Sequence, residues 1–219
     1  MGMQPRSLDV VEAMVATLEE DILLGRLYPR ERLVEDRLAE RFGQKRHVVR
    51  QALGDLETVG LIVREAGKGA VVRDYSLREV DDLYRMREIV EGQAALLIPL
   101  PVPAERLGDV ERLCDAYAQA VDATDMRAVI ESNKRFHQTI YRLCGNRFLS
   151  DVIDNMAQRA NLVRFSSIAD PAALEQARDE HFGIVDALKG TDNDALARLC
   201  VAHIQPSRRR YLERHARIA

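Results

Sequence analysis

The chain has 219 residues, of which 47% are hydrophobic and 31% are charged. This composition is typical of a globular protein and excludes fibrous and intrinsically disordered classes. The length allows one large domain or two small ones. Lys and Arg total 32 and Asp and Glu total 35, so the net charge is -3. No overall positive charge indicates a nucleic acid or a membrane, and any such binding patch must be local.

The three cysteines, Cys114, Cys144 and Cys200, are far apart and form no C-x-x-C pair. This spacing argues against a disulfide framework and a thiolate zinc site, and it fits a reducing cytoplasm. The most apolar stretch, 94–104, is interrupted by prolines and is shorter than the roughly 20 residues of a membrane helix. Residues 1–6 lead into an amphipathic, partly acidic segment and do not resemble a signal peptide. We therefore expect no membrane association and no export.

The first 75 residues predict three helices and a hairpin. Apolar residues at three- and four-residue spacing and β-branched runs define the elements. They are a helix from Val11 to about Gly25, helices at 35–42 and 46–59, and strands at 61–63 and 70–72. Two short helices joined through Gly43 have the outline of a helix-turn-helix. Together with the hairpin they predict a winged helix.

A second domain is predicted to begin at Ser76, because Ser76 and Glu79 have the spacing of a capping box. From there on the hydrophobic pattern is helical, with about six helices. We thus expect a mainly α chain. An N-terminal winged helix-turn-helix domain with a β-hairpin wing would cover residues 1–75, and an all-α helical bundle would cover 76–219.

The positive charge of the first domain is concentrated in one place. Residues 1–40 have a net charge of -4, residues 41–50 a net charge of +4 and residues 51–75 a net charge of -1. The basic segment includes the start of the third helix, where a recognition helix presents side chains to base edges in the major groove. The alternative is an ordinary solvated helix face.

The polar face of this predicted recognition helix is rich in hydrogen-bond donors. Arg46 and Arg50 are four residues apart and so share a face, with His47 and Gln51 beside them. An arginine fork can bond O6 and N7 of guanine together, whereas Lys45 is a point charge better suited to a phosphate. Lys68, at the hairpin tip, is placed to reach the DNA backbone or the minor groove.

The order of residues in this region resembles the winged helix of the GntR superfamily of bacterial transcription regulators. The matching residues are Arg32 to Gly43, then Arg46, Val49–Arg50, Ala52–Leu53, Leu56 and Gly60 to Ile62. The resemblance implies that Arg46 and Arg50 contact bases and that Gly67 of the hairpin lies at the DNA. The chain has Arg30, Lys45 and Val48 where the family usually has glycine, serine and proline.

Three of the five histidines, His137, His181 and His203, lie in separate predicted helices of the second domain. Asn133 lies four residues before His137, so the two share an inward face. One interpretation is that each imidazole is a core residue bonded to a carbonyl. The other is that the three converge on a metal, because helical bundles gather ligands from facing helices. Sequence spacing leaves both open.

The second domain looks like the FCD ligand-binding domain over roughly residues 76–215. The matching residues are Asp82 to Tyr84, Arg87, Glu91, Asn133, Phe136–His137, Gly145–Asn146, Glu180–His181, Ile184, Ala187–Leu188, Asp194–Ala195 and His203. In metal-binding members the ligands are an aspartate, a histidine four residues later and two further histidines. The resemblance therefore implies Asn133, His137, His181 and His203 as metal residues.

Asparagine lacks the carboxylate charge that helps to hold a divalent cation. Three imidazoles still suit Zn²⁺ or Ni²⁺, with open positions for a small organic acid. The resemblance also implies that Arg87 clamps the carboxylate of this effector, and Arg164 is a weaker candidate. The alternative for Arg87 is a surface charge paired with Glu91, four residues further on.

These patterns predict a cytoplasmic, homodimeric transcription regulator and not an enzyme. Each subunit would read half of a palindromic operator, with half-site centres about 34–36 Å apart or a multiple of that. A metal-dependent enzyme that uses the three histidines is the alternative. It lacks an obvious general base, because Glu180 adjoins His181 in sequence and is expected to point away from it. A helical interaction protein without DNA binding would leave Arg46 and Arg50 unexplained.

Overall fold

The computed structural model describes residues 7–168 and 170–216. The segment 1–6, on which the expectation about export partly depends, lies outside the described residues. The chain forms two compact units, unit 1 and unit 2, with the boundary between Tyr75 and Ser76. None of the described helices is both long and apolar enough to cross a membrane.

Unit 1 is a winged helix, as predicted. Its elements are α1 (Ser7–Leu23), β1 (Arg32–Leu33), α2 (Glu35–Phe42), α3 (Arg46–Thr58), β2 (Ile62–Glu65) and β3 (Gly69–Val72). The strands form an antiparallel sheet in the order β1-β3-β2, in which Val63 and Arg32 lie on either side of Val71. Strand β1 was not predicted, because two residues are too few to show alternation. Helix α1 also begins before Val11.

The turn between α2 and α3 fixes the direction of the recognition helix. Gly43 has φ 61° and ψ 31°, a left-handed conformation that glycine adopts without steric cost, and its N–H bonds to the carbonyls of Ala39 and Glu40. Helix α3 then packs its apolar face against α1, and Val49, Leu53 and Leu56 are fully buried. The opposite face of α3 is therefore exposed.

Arg30 occupies a position where glycine is usual in the family that the sequence resembles, and its backbone shows why. Its φ is 67°, in the left-handed region, where a non-glycine residue costs about 1–2 kcal/mol. The Arg30 N–H donates to the carbonyl of Val72 at 2.9 Å, and its Nε donates to Asp74 at 2.7 Å. These contacts hold the strained turn against the sheet.

Unit 2 is all-helical over its described residues. The helices are α4 (Leu77–Leu97), α5 (Ala104–Asp122), α6 (Met126–Arg142), α7 (Arg147–Arg159), α8 (Asn161–Ile168), α9 (Pro171–Lys189) and α10 (Asn193–Ala216). That is one more than the sequence suggested, because only Ala160 separates α7 from the short α8. The predicted capping box is present: Ser76 accepts from the Glu79 N–H, and the Glu79 carboxylate accepts from the Ser76 N–H.

The packing of unit 2 brings the inward faces of α6, α9 and α10 together. Helix α4 packs against α10, and α5 packs against α6 and α9. Phe136, Ile184 and Leu196 are among the buried residues of the shared core. The three cysteines are free and buried, and burial raises the pKa of Cys200 to about 12, so this thiol is a poor nucleophile.

Candidate functional site

The exposed face of α3 carries the residues that the sequence predicts for DNA contact. Lys45, Arg46, His47, Arg50 and Gln51 are all exposed. Lys45 is the N-cap residue of α3, and its side chain makes no capping hydrogen bond. The donors of this face point to solvent on a helix whose other side is locked in the core.

Both arginines of this face pair with acidic residues at the start of α2. Arg46 Nε lies 2.6 Å from the Asp36 carboxylate, and Arg50 Nε lies 2.8 Å from the Glu35 carboxylate. Exposed pairs of this kind contribute about 0–1 kcal/mol. Each pair uses Nε, whereas an arginine recognises guanine through two parallel N–H groups of its planar fork. The acidic residues thus hold the guanidinium groups without strong binding.

The tip of the wing is a tight turn that contains Gly67. Gly67 has φ 77°, and the neighbouring Lys68 N–H donates to the carbonyl of Glu65 at 3.1 Å. Lys68 Nζ also lies 2.7 Å from the Glu65 carboxylate. Arg41, which the charge count included in the basic segment, instead pairs with the buried Asp21 at 2.6 Å. Arg41 therefore has a structural contact within unit 1.

The three histidines of unit 2 meet in one cluster, which we call the histidine cluster: His137 on α6, His181 on α9 and His203 on α10. One ring nitrogen from each lies within 4.8 Å of the others. The Nε2 atoms of His137 and His203 are 3.3 Å apart. Two nitrogens bound to one tetrahedral zinc ion at about 2.0–2.1 Å would be separated by roughly that distance. The histidine cluster therefore fits a divalent metal.

His181 is the most unusual member of the histidine cluster. It is completely buried, and neither of its ring nitrogens has a hydrogen-bond partner among the residues that the structure describes. The rings of Phe136 and Tyr117 pack against it, with centroids 4.2 and 4.6 Å away. A buried polar atom without a partner costs roughly 1–3 kcal/mol. A metal or another ligand would supply the missing interaction.

His203 has a carboxylate neighbour, Glu180, that the sequence analysis did not connect with it. Its Nδ1 lies 2.6 Å from Oε2 of Glu180. The expectation that Glu180 points away from His181 considered only α9 and did not foresee the contact with His203. Glu180 does diverge from His181 on that helix, but it faces α10, where His203 lies. Glu180 thus contacts the histidine cluster from its outer side.

Asn133, the residue that replaces the usual aspartate, faces an arginine. With the amide oriented so that its oxygen accepts, Asn133 is 2.9 and 3.3 Å from the two terminal nitrogens of Arg164. Among the side chains that the structure describes, no carboxylate lies within 4.0 Å of this guanidinium. Burial and repulsion by Arg87 both lower the pKa of Arg164. The arginine nevertheless remains charged at any physiological pH.

Arg87 is buried and not the surface charge that was one of its two interpretations. Only 7% of the residue is exposed, and its Nε donates to Glu91 at 2.7 Å. Tyr141 donates its hydroxyl proton to the other oxygen of Glu91 at 2.7 Å. The expected pairing with Glu91 is therefore present, but it lies in the interior. The Tyr141 ring also stacks on His137, at 6.4 Å between centroids.

The electrostatic environment keeps two of the imidazoles neutral. Burial lowers the pKa of His137 and of His181 well below the ordinary value, and the neighbouring histidines and Arg164 add to the effect. A neutral imidazole has a lone pair, which is what a metal ion requires. The histidine cluster thus offers ligand atoms without the need to remove protons at neutral pH.

A winged helix with an exposed basic recognition face, followed by an all-helical domain, defines a class of helix-turn-helix DNA-binding regulators. The family model "FCD domain" matches residues 82–206, and the model "Bacterial regulatory proteins, gntR family" matches residues 11–72. The chain belongs to the GntR family of bacterial regulatory proteins and to its FCD branch.

Individual relatives agree with this assignment. The chain is 26% identical to the HTH-type transcriptional regulator McbR of Escherichia coli (strain K12) over 189 residues, which cover 85% of each chain. It is 24% identical to the galactonate operon transcriptional repressor of the same strain, over 94% of this chain and 99% of that one. The solved structure of E. coli McbR/YncC matches with a TM-score of 0.80 at 22% identity, over 97% of this chain and 100% of that chain.

The burial of two neutral histidines predicts a pH-dependent stability. Their pKa values are near 6.5 in the unfolded chain and far lower in the folded chain, so the unfolded state binds more protons below about pH 6.5. The free energy of unfolding should therefore fall with decreasing pH, by up to about 2.7 kcal/mol per pH unit from these two groups. Urea denaturation in EDTA between pH 7 and 5 measures this slope.

The substitution His181→Phe supplies the matched control. It removes one of the two titrating groups and both unpartnered nitrogens, so it should halve this contribution to the slope and leave the protein at least as stable at pH 5.5. Equal slopes in the parent and the variant would contradict the prediction.

Proposed function

We propose that the chain is a cytoplasmic transcription regulator whose operator binding is controlled by a small carboxylate effector at the histidine cluster, with or without a bound divalent metal. One observation carries the proposal: the buried imidazole of His181 has no hydrogen-bond partner among the described residues and lies near Arg164, in the domain that follows a DNA-binding fold. A ligand would supply the missing interaction, and the positive charge of Arg164 favours an anion.

DNA binding is proposed to depend on Arg46 and Arg50 for base contacts and on Lys45 and Lys68 for phosphate contacts, with His47, Gln51 and Gly67 beside them. The exposure of these side chains on α3 and at the wing tip supports this. The rest of unit 1 has a net negative charge, so this basic segment is the part of unit 1 that attracts DNA phosphates. Asp36 and Glu35 would release the guanidinium groups at a small cost, because both pairs are exposed.

Arginine substitutions test the recognition helix. Arg46→Ala and Arg50→Ala should each weaken operator binding by about 1–3 kcal/mol and reduce the preference over scrambled DNA, because a bidentate base contact is lost. Lys68→Ala should lower the affinity for both DNAs almost equally. Arg112→Ala, an exposed arginine of unit 2, makes the same charge change and should have no effect. Fluorescence anisotropy titrations measure all four, and unchanged operator affinity in both recognition-helix variants would reject the assignment.

A homodimer is proposed to form through unit 2. Helices α4 and α7 pack against each other, and both expose large apolar side chains. On α4 the residue Ile89 is 62% exposed and Leu97 is 52% exposed, while on α7 Phe148 is 83% exposed. Large apolar side chains exposed on two helices that pack together suit a protein interface. A second copy of the chain, related by a two-fold axis, suits a palindromic operator.

Charge insertion tests this dimer surface. Ile89→Asp and Phe148→Asp should each convert the dimer to a monomer, because a carboxylate would be buried in an apolar interface. Leu199→Asp on α10 alters another exposed apolar residue, 40% exposed, and should leave the dimer intact. Light scattering coupled to size-exclusion chromatography gives the molar mass of the parent and of each variant. A monomeric parent, or dimers in both interface variants, would exclude this surface.

The effector is proposed to be a small organic acid held by Arg164 and Arg87. Glu91 already neutralises Arg87, whereas Arg164 contacts only the neutral amide of Asn133 among the described contacts. A carboxylate of the effector would therefore gain a charge-assisted hydrogen bond at Arg164, worth about 1.5–3 kcal/mol. The imidazoles, or a Zn²⁺ or Ni²⁺ ion that they hold, would bind the remaining polar atoms of the acid.

The substitution Asn133→Asp distinguishes metal binding from effector binding at this site, because it should affect the two in opposite directions. A carboxylate beside the imidazoles should tighten Zn²⁺ binding, whereas its charge should neutralise Arg164 and weaken the binding of small carboxylates by about tenfold or more. Thermal shift assays with a panel of organic acids, and zinc titrations against a chelator, measure the two effects. Arg164→Gln is the control that should lose acid binding and retain zinc. Equal acid binding in all three proteins would reject the role of Arg164.

The alternative of a metal-dependent enzyme has no specific support. The carboxylate that contacts the histidine cluster, Glu180, is engaged by His203 and by Gln176, which donates to it at 2.8 Å. The relatives described above carry the names of transcription regulators.

A further inference from the structure

A continuous chain of hydrogen bonds leads from α10 through α9 back to the histidine cluster. Arg210 Nη2 donates to Oε1 of Gln176 at 3.1 Å, and Nε2 of Gln176 donates to Oε1 of Glu180 at 2.8 Å. Oε2 of Glu180 lies 2.6 Å from Nδ1 of His203. Gln176 and Glu180 are one helical turn apart on α9, so this hydrogen-bond chain crosses twice between the two helices.

The direction of every bond in this chain is determined by chemistry. An arginine can only donate, so the oxygen of the Gln176 amide faces Arg210 and its NH₂ group faces Glu180. An ionised carboxylate can only accept. The ring atom Nδ1 of His203 must therefore carry the proton of the last bond.

The position of that proton decides what His203 offers to the histidine cluster. A neutral imidazole carries one proton, and with this proton on Nδ1 the atom Nε2 has a bare lone pair. Nε2 is the atom that faces His137, 3.3 Å away. With the opposite tautomer, Nε2 would present a proton and could not bind a metal or accept a hydrogen bond.

We propose that Glu180 is a positioning residue that fixes the Nδ1–H tautomer of His203, and that Arg210 and Gln176 hold the Glu180 carboxylate in place from the far side. The proposal rests on the proposed function only in assigning the Nε2 lone pair to a ligand. Burial favours this series of hydrogen bonds. The side chain of His203 is 10% exposed and that of Glu180 is 29% exposed, so water competes weakly for the hydrogen bond between them. Arg210 is itself anchored by Asp170, 3.5 Å from its Nε.

The substitution Glu180→Gln gives an outcome that a purely structural contact would not. Arg210 would still direct the Gln176 amide, whose NH₂ group would bond the oxygen of Gln at position 180. The NH₂ group of that new side chain would then face Nδ1 of His203, which could only accept. The variant should therefore invert the tautomer of His203 to Nε2–H, although its side chain has nearly the same shape.

Exchanging the two side chains should restore the original tautomer. In the double variant Gln176→Glu with Glu180→Gln, the carboxylate accepts from Arg210 and from the amide NH₂ group. The amide oxygen then accepts the Nδ1 proton of His203. This exchange keeps the composition and the net charge. It therefore distinguishes the donor–acceptor direction of these hydrogen bonds from the mere presence of a carboxylate.

Long-range ¹H–¹⁵N correlation spectra of metal-free protein with ¹⁵N-labelled histidine report the tautomer, and a His203→Gln variant assigns the signals. We expect Nδ1–H in the parent and the double variant and Nε2–H in Glu180→Gln. Zinc affinity should fall 10- to 100-fold in Glu180→Gln and recover to within about threefold in the double variant. Circular dichroism checks that each variant is folded.

An Nδ1–H tautomer in folded Glu180→Gln, or an Nε2–H tautomer in the parent, would overturn the inference. A parent that binds no zinc would instead contradict metal binding in the proposed function, while the tautomer result would still decide the role of Glu180. If Glu180→Gln proves unstable, Glu180→Ala in the parent background removes the acceptor of the Nδ1 proton and should yield a mixture of both tautomers. A single Nδ1–H tautomer in Glu180→Ala would show that Glu180 does not fix the tautomer.

Discussion

The interior of unit 2 is organised by the requirement that a polar atom hidden from water must have a partner. Glu91 accepts hydrogen bonds from Arg87 and Tyr141, Asn133 accepts them from Arg164, and His203 bonds Glu180. The nitrogens of His181 have no such partner among the described residues. Hydrogen bonds orient the other polar side chains, so a ligand of the histidine cluster would meet lone pairs and charges that are already oriented.

The sequence predicted the fold well where periodicity is long and chain breaks are sharp. The helix-turn-helix was visible because Gly43 ends α2 within one residue of the prediction, and the capping box at Ser76 marked the start of α4. Very short elements were not visible, because they do not repeat the pattern that identifies them. Strand β1, for example, has only two residues. The predicted number of about six helices in unit 2 was one short of the seven described, and no glycine or proline separates the short α8 from α7.

For the candidate site, the sequence identified residues but not their neighbours. The matching motifs led to His137, His181 and His203 because these residues have distinctive chemistry at distinctive spacing. The contact of Glu180 with His203 was not foreseen because it joins two helices, and the rotation of α10 relative to α9 is a property of packing. The burial of Arg87 could not be read from its i,i+4 spacing to Glu91, since the same spacing occurs on surfaces. In both cases the missing information was which face of a helix the core covers.

The acidic residues that accompany the recognition arginines affect how this protein should respond to ionic strength. A cation that arrives at DNA from bulk solvent displaces condensed counterions from the phosphates, and the affinity then falls steeply with added salt. Arg46 and Arg50 are paired with Asp36 and Glu35, which would stay near the proposed DNA interface as negative charges. Fewer counterions are released for each arginine, so the logarithmic salt slope should be shallower than the number of basic side chains suggests. The same carboxylates would repel the backbone of a sequence that offers no guanine to the arginines. Two weak surface ion pairs would in this way contribute to discrimination against non-specific DNA.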